Sequence, residues 1–309
     1  MSTTSAARPA ATITHELAGT DGAPVILALG GISATRHVAG HPGDDSPGWW
    51  EGIAGRRRAL DLESRRVLGV DFLDGGRAAG GRPATIVTTH HQAAAIVDLL
   101  DGLGVEQLDA LVGASYGGMV GLALAQRWPT RVRRLVVISA AHQPHPMATA
   151  LRSLQRQVVE LGLDTGRGSD AMVLARGIAM TTYRTAREFA DRFGADWRGD
   201  GPRHDAEFEV ERYLRRSGER FAERMRPERF LALSLSADLH CIEPEQVRVP
   251  TTLIAAQGDT LVPPAQMRQL GRRLRNLAGF FTLRTRRGHD AFLTETGQLG
   301  RILATILAH

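Results

Sequence analysis

The sequence predicts an α/β fold, a mostly parallel, doubly wound sheet with an inserted helical cap, and three observations carry that reading. Short apolar runs of strand character alternate with helical patterns from about Ile13 to Ala140; such alternation places a parallel sheet between layers of helices. The alternation stops at His142, and from about Pro146 to Ser234 the pattern is helical, with arginine and glutamate on the exposed faces. It resumes at Thr251, so the middle segment reads as an insertion above the carboxyl edge of the sheet. The expected organisation is a disordered tail at 1–11, a core built from 12–141 and 235–309, and a cap at 142–234. A chain of 309 residues can bury a substantial core of this kind as one large domain.

The elements follow in order. Residues 1–11 lack the apolar segment of a secretory signal and read as the tail. Val25-Ile26-Leu27-Ala28-Leu29 is apolar throughout, as a strand covered on both faces requires, and it runs into the loop Gly30-Gly31-Ile32-Ser33. Arg66 to Asp71 is the next strand and His91 to Leu103 a helix. Leu108 to Val112 is a strand that passes through Gly113-Ala114-Ser115-Tyr116-Gly117 into the small, helix-forming run Met119 to Ala125; Arg134 to Ala140 is a further strand. The helical segment has a polar, glycine-containing break at Arg198 to His204. Thr251 to Ala256 is a buried strand and Gly279 to Arg284 a short one, after which Gly288 to Leu293 leads into the last helix.

Residues 113–117 have the form Gly-x-Ser-x-Gly between a strand and a helix, the context of a nucleophile elbow. The turn strains the serine backbone and only small neighbours leave room for it. A glycine-rich turn without catalysis fits the same pattern, so a base and an acid must be found. Gly258-Asp259 directly follows the Thr251–Ala256 strand, and His289 lies in the last loop. Ser115, Asp259 and His289 therefore occur in the serine–acid–histidine order of the α/β-hydrolase fold. Ser115 is the expected nucleophile, His289 its base, and Asp259 the group that fixes the imidazole tautomer. The expected oxyanion hole comprises the Tyr116 amide at a helix N-terminus and the Gly31 and Ile32 amides of the early loop.

Composition narrows the chemistry. There is no lysine, so all 38 basic residues are arginine, which excludes Schiff-base catalysis and a lysine-built phosphate loop. The formal charge of +5 is modest, and the short clusters Arg56-Arg57-Arg58, Arg131/Arg133/Arg134 and Arg284/Arg286/Arg287 have no interleaved aromatics. They read as solvated faces, or as a rim for an anionic cofactor such as coenzyme A, rather than as a nucleic-acid surface. One cysteine, Cys241, allows no intramolecular disulfide and is expected to be a partly buried thiol; this suits a cytoplasmic location. No apolar run approaches the length of a membrane span, and no metal-ligand spacing is visible among the 11 histidines. His90-His91, His142 and His145 read as capping or supporting residues.

Together, Gly113-Ala114-Ser115-Tyr116-Gly117-Gly118-Met119-Val120, Leu29-Gly30-Gly31-Ile32-Ser33-Ala34 and Gly288-His289-Asp290-Ala291-Phe292-Leu293 resemble the homoserine O-acyltransferase family of α/β-hydrolase-fold enzymes. Leu174-Ala175-Arg176 and Met180-Thr181-Thr182-Tyr183-Arg184 extend the resemblance into the cap. The resemblance implies that Arg176 grips the homoserine carboxylate with help from Tyr183, while Asp290 holds the amine. An arginine fork suits a carboxylate, and a carboxylate suits an ammonium group. Within the family, the Tyr116 elbow, His142 with His145 to Thr149, and Ser236 to His240 are most similar to the shorter, succinyl-transferring members; His90-His91-Gln92-Ala93 departs from the pattern, which has an acidic residue before Gln-Ala.

The implied reaction is ping-pong transfer of succinyl from succinyl-CoA to the L-homoserine hydroxyl, in methionine biosynthesis, with acyl-CoA as co-substrate and no permanently bound cofactor or metal. Arg36, with the Tyr116 hydroxyl as helper, is the candidate for the distal carboxylate of the donor, and Arg36 as a surface residue is an equal reading. Acetyl transfer, a serine acceptor and a plain esterase are the alternatives, with a non-catalytic binding protein further off. Neither nucleic acid nor membrane is an expected partner, and a homodimer through the cap is expected.

Overall fold

The computed structural model describes residues 13–194, 197–198 and 207–308; the tail read at 1–11, and the polar break beyond Arg198, lie outside them. Seven strands form the main sheet: β1 His15–Gly19, β2 Val25–Leu29, β3 Arg66–Val70, β4 Ala110–Ala114, β5 Leu135–Ile138, β6 Thr251–Ala256 and β7 Leu277–Leu283, in the spatial order β1-β3-β2-β4-β5-β6-β7. All neighbours pair in parallel except β1 and β3. The α/β-hydrolase architecture expected from the sequence is therefore present.

The continuous apolar runs divide between two cores by strand alternation. Val25, Leu27 and Leu29 of β2, Leu135 and Val137 of β5, and Leu253 and Ala255 of β6 enter one core; Ile26, Ala28, Val136, Ile138, Ile254 and Ala256 enter the other. The first core is covered by α1 (Thr89–Gly102), α2 (Tyr116–Arg127) and α8 (Pro264–Arg273), the second by α9 (Thr296–Leu307) and the loop carrying Trp50 and Ile53. The register places Leu29 beside Gly113 and Ala114 beside Ile138, so the carboxyl ends of β2, β4 and β5 stand level.

Between β5 and β6 run α3 (Pro146–Asp164), α4 (Gly168–Tyr183), α5 (Ala186–Arg192), α6 (Glu209–Ala222) and α7 (Pro227–Asp238). The boundary expected at 234 falls inside α7. Phe230 and Leu231 pack with Val159, Met172, Ala175 and Met225 of the helical segment, whereas Leu233 and Ala237 enter the core beneath it. One helix thus belongs to both layers, which an apolar pattern alone does not reveal. No helix among the described residues is long and apolar enough to cross a membrane.

Two of the supporting histidines cap helices. The His91 side chain completes a capping box with Thr88 at the start of α1, and the His145 side chain accepts from the Met147 N–H at the start of α3. Gln92, which matches the family pattern, exchanges hydrogen bonds with the Leu73 backbone, and the departing His91 before it caps α1. Cys241 is exposed rather than partly buried.

Candidate active site

Four loops leave the carboxyl ends of β2, β4, β6 and β7 and converge. Ser115 sits between β4 and α2 at φ 54° and ψ −122°, a backbone that a non-glycine residue adopts only under strain. Its neighbours show why glycine is required: a Cβ on Gly113 would lie 2.4 Å from the Gly117 carbonyl oxygen, and one on Gly117 would lie 2.4 Å from that of Leu29. Gly117→Ala is expected to push the elbow off the end of β2 and to cost about 1–3 kcal/mol, as overpacking does, measurable as a lower denaturant midpoint.

The Ser115 hydroxyl donates to His289 Nε2 at 2.8 Å, and His289 Nδ1–H donates to Asp259 Oδ2 at 2.8 Å. The other carboxylate oxygen, Oδ1, accepts from the Leu261 and Val262 amides at 2.9 Å each, which locks the acid in place. Burial lowers the affinity of His289 for a proton, but the Asp259 charge and hydrogen bond, with Asp290 adding to them, outweigh it and leave the pKa raised. The arrangement can draw the serine proton onto Nε2 and hold the resulting imidazolium. Beside it, the Gly117 amide donates to the Gly30 carbonyl at 2.8 Å, tying the early loop to the elbow. The amides of Tyr116 and Ile32 form no hydrogen bond among the described residues.

These groups open into a cleft of about 570 Å³ between sheet and helical segment, lined by Gly31, Ile32, Ser115, Arg176, Tyr183 and Asp290 among others. The Arg176 guanidinium lies 5.1 Å from the Tyr183 ring centre and 4.9 Å from that of Phe221. Its buried Nε has no hydrogen-bond partner, and it forms no ion pair among the described residues. Tyr183 stacks obliquely on His289, ring centres 5.8 Å apart. Asp290 lies 3.0 Å from Arg184 Nε; burial raises its pKa, with Arg184, His289 and Arg176 opposing.

Two expectations fail on geometry. Arg36 lies outside the cleft, because the chain turns away after Ala34 toward the β1–β3 edge; there its guanidinium meets Asp71 Oδ2 at 2.6 Å and its amide meets Oδ1 at 2.9 Å. The Tyr116 hydroxyl is buried against Ser236 Oγ at 2.7 Å, and burial pushes its pKa up to about 12, so it is engaged in the core. Sequence reasoning missed Arg152, whose guanidinium lines the cleft and shares Asp238 with Arg156. It also missed Arg192, Arg220 and Arg224 at the cleft; for Arg220 and Arg224 the available signal is the four-residue arginine spacing that runs along α6 and just past its end.

Metal-ligand geometry occurs among the described residues at Glu16, His37 and His41, whose ligand atoms lie within 4.8 Å of one another. Glu16 lies on β1 and both histidines in the one loop after β2, and none of the three lines the cleft. There the His37 Nε2–H donates to the Ser46 carbonyl at 2.7 Å, which with Glu16 raises the His37 pKa against its burial. The cluster reads as an ion-paired clasp between β1 and its neighbouring loop.

Residues 24–296 match the family model described as alpha/beta hydrolase fold. The chain is 42% identical over 293 residues to a homoserine O-succinyltransferase of Xanthomonas campestris pv. campestris, covering 95% of this chain and 78% of the relative. It is 32% identical over 326 residues to a serine O-succinyltransferase of Frateuria aurantia, covering 91% and 89%. The homoserine O-acetyltransferase structure from Bacillus anthracis superimposes with a TM-score of 0.85 at 18% identity, covering 96% of this chain and 92% of that one, a likeness of fold. With the cleft geometry and these relatives in agreement, the chain belongs to the homoserine O-acyltransferase family of α/β-hydrolase-fold enzymes.

Proposed function

We propose that the protein transfers succinyl from succinyl-CoA to the hydroxyl of L-homoserine, in two half-reactions through Ser115. The observation that carries this reading is an activated serine sharing one cleft with an uncompensated cation, Arg176. In the first half, Ser115 Oγ gives its proton to His289 Nε2 and forms an ester with the acyl carbon; the thioester C–S bond breaks and the CoA sulfur takes the proton from His289. The unpartnered Tyr116 and Ile32 amides, with Gly31 in the same loop, suit the oxyanion. In the second half, His289 takes the homoserine hydroxyl proton as that oxygen bonds to the acyl carbon; the Ser115 Oγ–acyl bond then breaks, Oγ takes the proton back from His289, and O-succinylhomoserine leaves.

A substrate carboxylate would compensate Arg176, and Tyr183 would hold that guanidinium in place from one side. Asp290, shared with Arg184, would take the ammonium group. For the distal carboxylate of the donor we substitute Arg152 for Arg36. Arg152 and Arg156 share the single carboxylate of Asp238, leaving net positive charge in the cleft wall, and the Arg152 charge is felt at both His289 and Tyr183. Transfer exceeds hydrolysis because the bound hydroxyl is positioned and water is not.

The test is CoA release from succinyl-CoA or acetyl-CoA with homoserine, serine or no acceptor. Release that requires homoserine and favours succinyl-CoA is expected; release without acceptor would make the protein an esterase, and preference for serine or acetyl-CoA would reassign that substrate. Arg176→Ala is expected to lower kcat/KM for homoserine by about 100-fold or more, as truncating one partner of a buried charge pair does. An unchanged value would remove the carboxylate clamp.

A further inference from the structure

We infer that α6 carries the binding site for the phosphate-bearing, nucleotide end of coenzyme A, formed by Arg216 and Arg220 with Arg192 of α5 and Arg212. The inference rests on the acyl-CoA reading above and adds where the donor is gripped. A second cavity, about 270 Å³, is lined by Arg192, Arg212, Tyr213, Arg216, Arg220 and Glu209, with Phe193 beside them. It shares Arg192, Tyr213 and Arg220 with the cleft that holds Ser115, so the two cavities adjoin, and the arm of a bound CoA would pass from one to the other.

The charge there is unbalanced. Among the described residues the cavity is lined by one carboxylate, Glu209, and Arg192, Arg216 and Arg220 form no ion pair there. Arg224, which lines the main cleft, forms none either. Residues 212, 216, 220 and 224 are successive i, i+4 positions, and like charges at that spacing oppose the helix. Elsewhere on α6 the chain does pair its charges, as Arg215 with Glu219.

The clusters visible in the sequence behave differently. Arg56 meets Glu63, Arg131 meets Asp101, Arg133 and Arg134 meet Asp109, and Arg286 and Arg287 meet Asp191 and Glu188. Those six are fold contacts, whereas Arg216 and Arg220 line a cavity without an ion pair among the described residues. Guanidinium forks match phosphate oxygens in two-point contacts, which suits a diphosphate and a 3′-phosphate. The Arg192 guanidinium already stacks 4.3 Å from the centre of the Tyr213 ring, offering flat surfaces on which a purine can lie.

The experiment measures binding of CoA, 3′-dephospho-CoA and adenosine 3′,5′-bisphosphate by calorimetry to the Ser115→Ala protein and to the same protein carrying Arg216→Gln and Arg220→Gln. Both arginines are exposed, so the substitutions do not disturb a core. The expected result is that CoA binds at least about tenfold tighter than its dephospho form, that adenosine 3′,5′-bisphosphate competes, and that the double substitution weakens CoA by about 30-fold or more and flattens its salt dependence. In the active protein, the preference for succinyl-CoA over succinyl-pantetheine, as a ratio of kcat/KM values, should fall by a similar factor. Unchanged CoA affinity and an unchanged ratio in the substituted protein would overturn the α6 site while leaving the transferase reading intact. No binding of CoA and no CoA release by the unmodified protein would overturn both.

Discussion

Ser115→Ala is expected to lower acyl transfer by about 10⁴-fold or more, the scale on which removing a serine nucleophile acts when oxyanion donors and binding contacts remain. The reason is local. Ser115 Oγ is the atom aimed at His289 Nε2, 2.8 Å away, at the floor of the cleft. Alanine leaves the elbow backbone and the glycine packing around it in place, so thermal unfolding should stay close to that of the unmodified protein. Incubating the unmodified protein with succinyl-CoA and no acceptor should add one acyl group to its intact mass, and adding homoserine should remove it. The alanine protein should acquire none. Homoserine-dependent CoA release persisting in that variant would mean direct transfer between substrates, with no acyl-enzyme.

Asp259→Asn should be nearly as damaging, about 10⁴-fold in kcat, and for a distinct physical reason. The carboxylate Oδ1 is held by the Leu261 and Val262 amides, so the asparagine NH₂ would face His289 Nδ1. A donor there obliges Nδ1 to accept, which moves the ring proton to Nε2 and turns the base away from its task. The pH profile should move as well. In the unmodified protein His289 must be neutral to act, so the rate rises with pH through a histidine pKa that lies above its ordinary value. Burial works to lower that pKa, and Asp259 is the main influence raising it, with Asp290 assisting. Without the carboxylate, burial prevails and the acidic limb of the residual activity should shift to lower pH. A limb that stays where it was would assign the rate-controlling ionisation to another group.

The elements that could be read along the chain are those whose requirements are local. The elbow is legible because Gly113 and Gly117 have no room for a Cβ, and a turn that tight admits few sequences. The strands are legible because burial on both faces demands unbroken apolar runs: Val25–Leu29 and Thr251–Ala256 match their expected limits. Arg176 and Tyr183 are legible as cleft residues through the family resemblance, which points to a short stretch of one helix.

Contacts between distant segments were not legible. Arg36 follows the Gly30–Ile32 loop closely in the chain but turns to Asp71, since a few residues of loop suffice to reverse direction. The Tyr116 hydroxyl goes to Ser236, 120 residues away, and Glu16 meets His37 across two elements. Most arginines of the three clusters conspicuous in the sequence are paired with carboxylates, and Arg216 and Arg220 of α6 gain meaning only beside the two cavities they line. The sequence by itself determined the layered α/β architecture, the nucleophile turn and the order of its partners, because backbone sterics and apolar periodicity act over a few residues. Which charges are cancelled and which are left facing the cleft was decided by tertiary structure alone, because electrostatic compensation depends on distance through space and not along the chain.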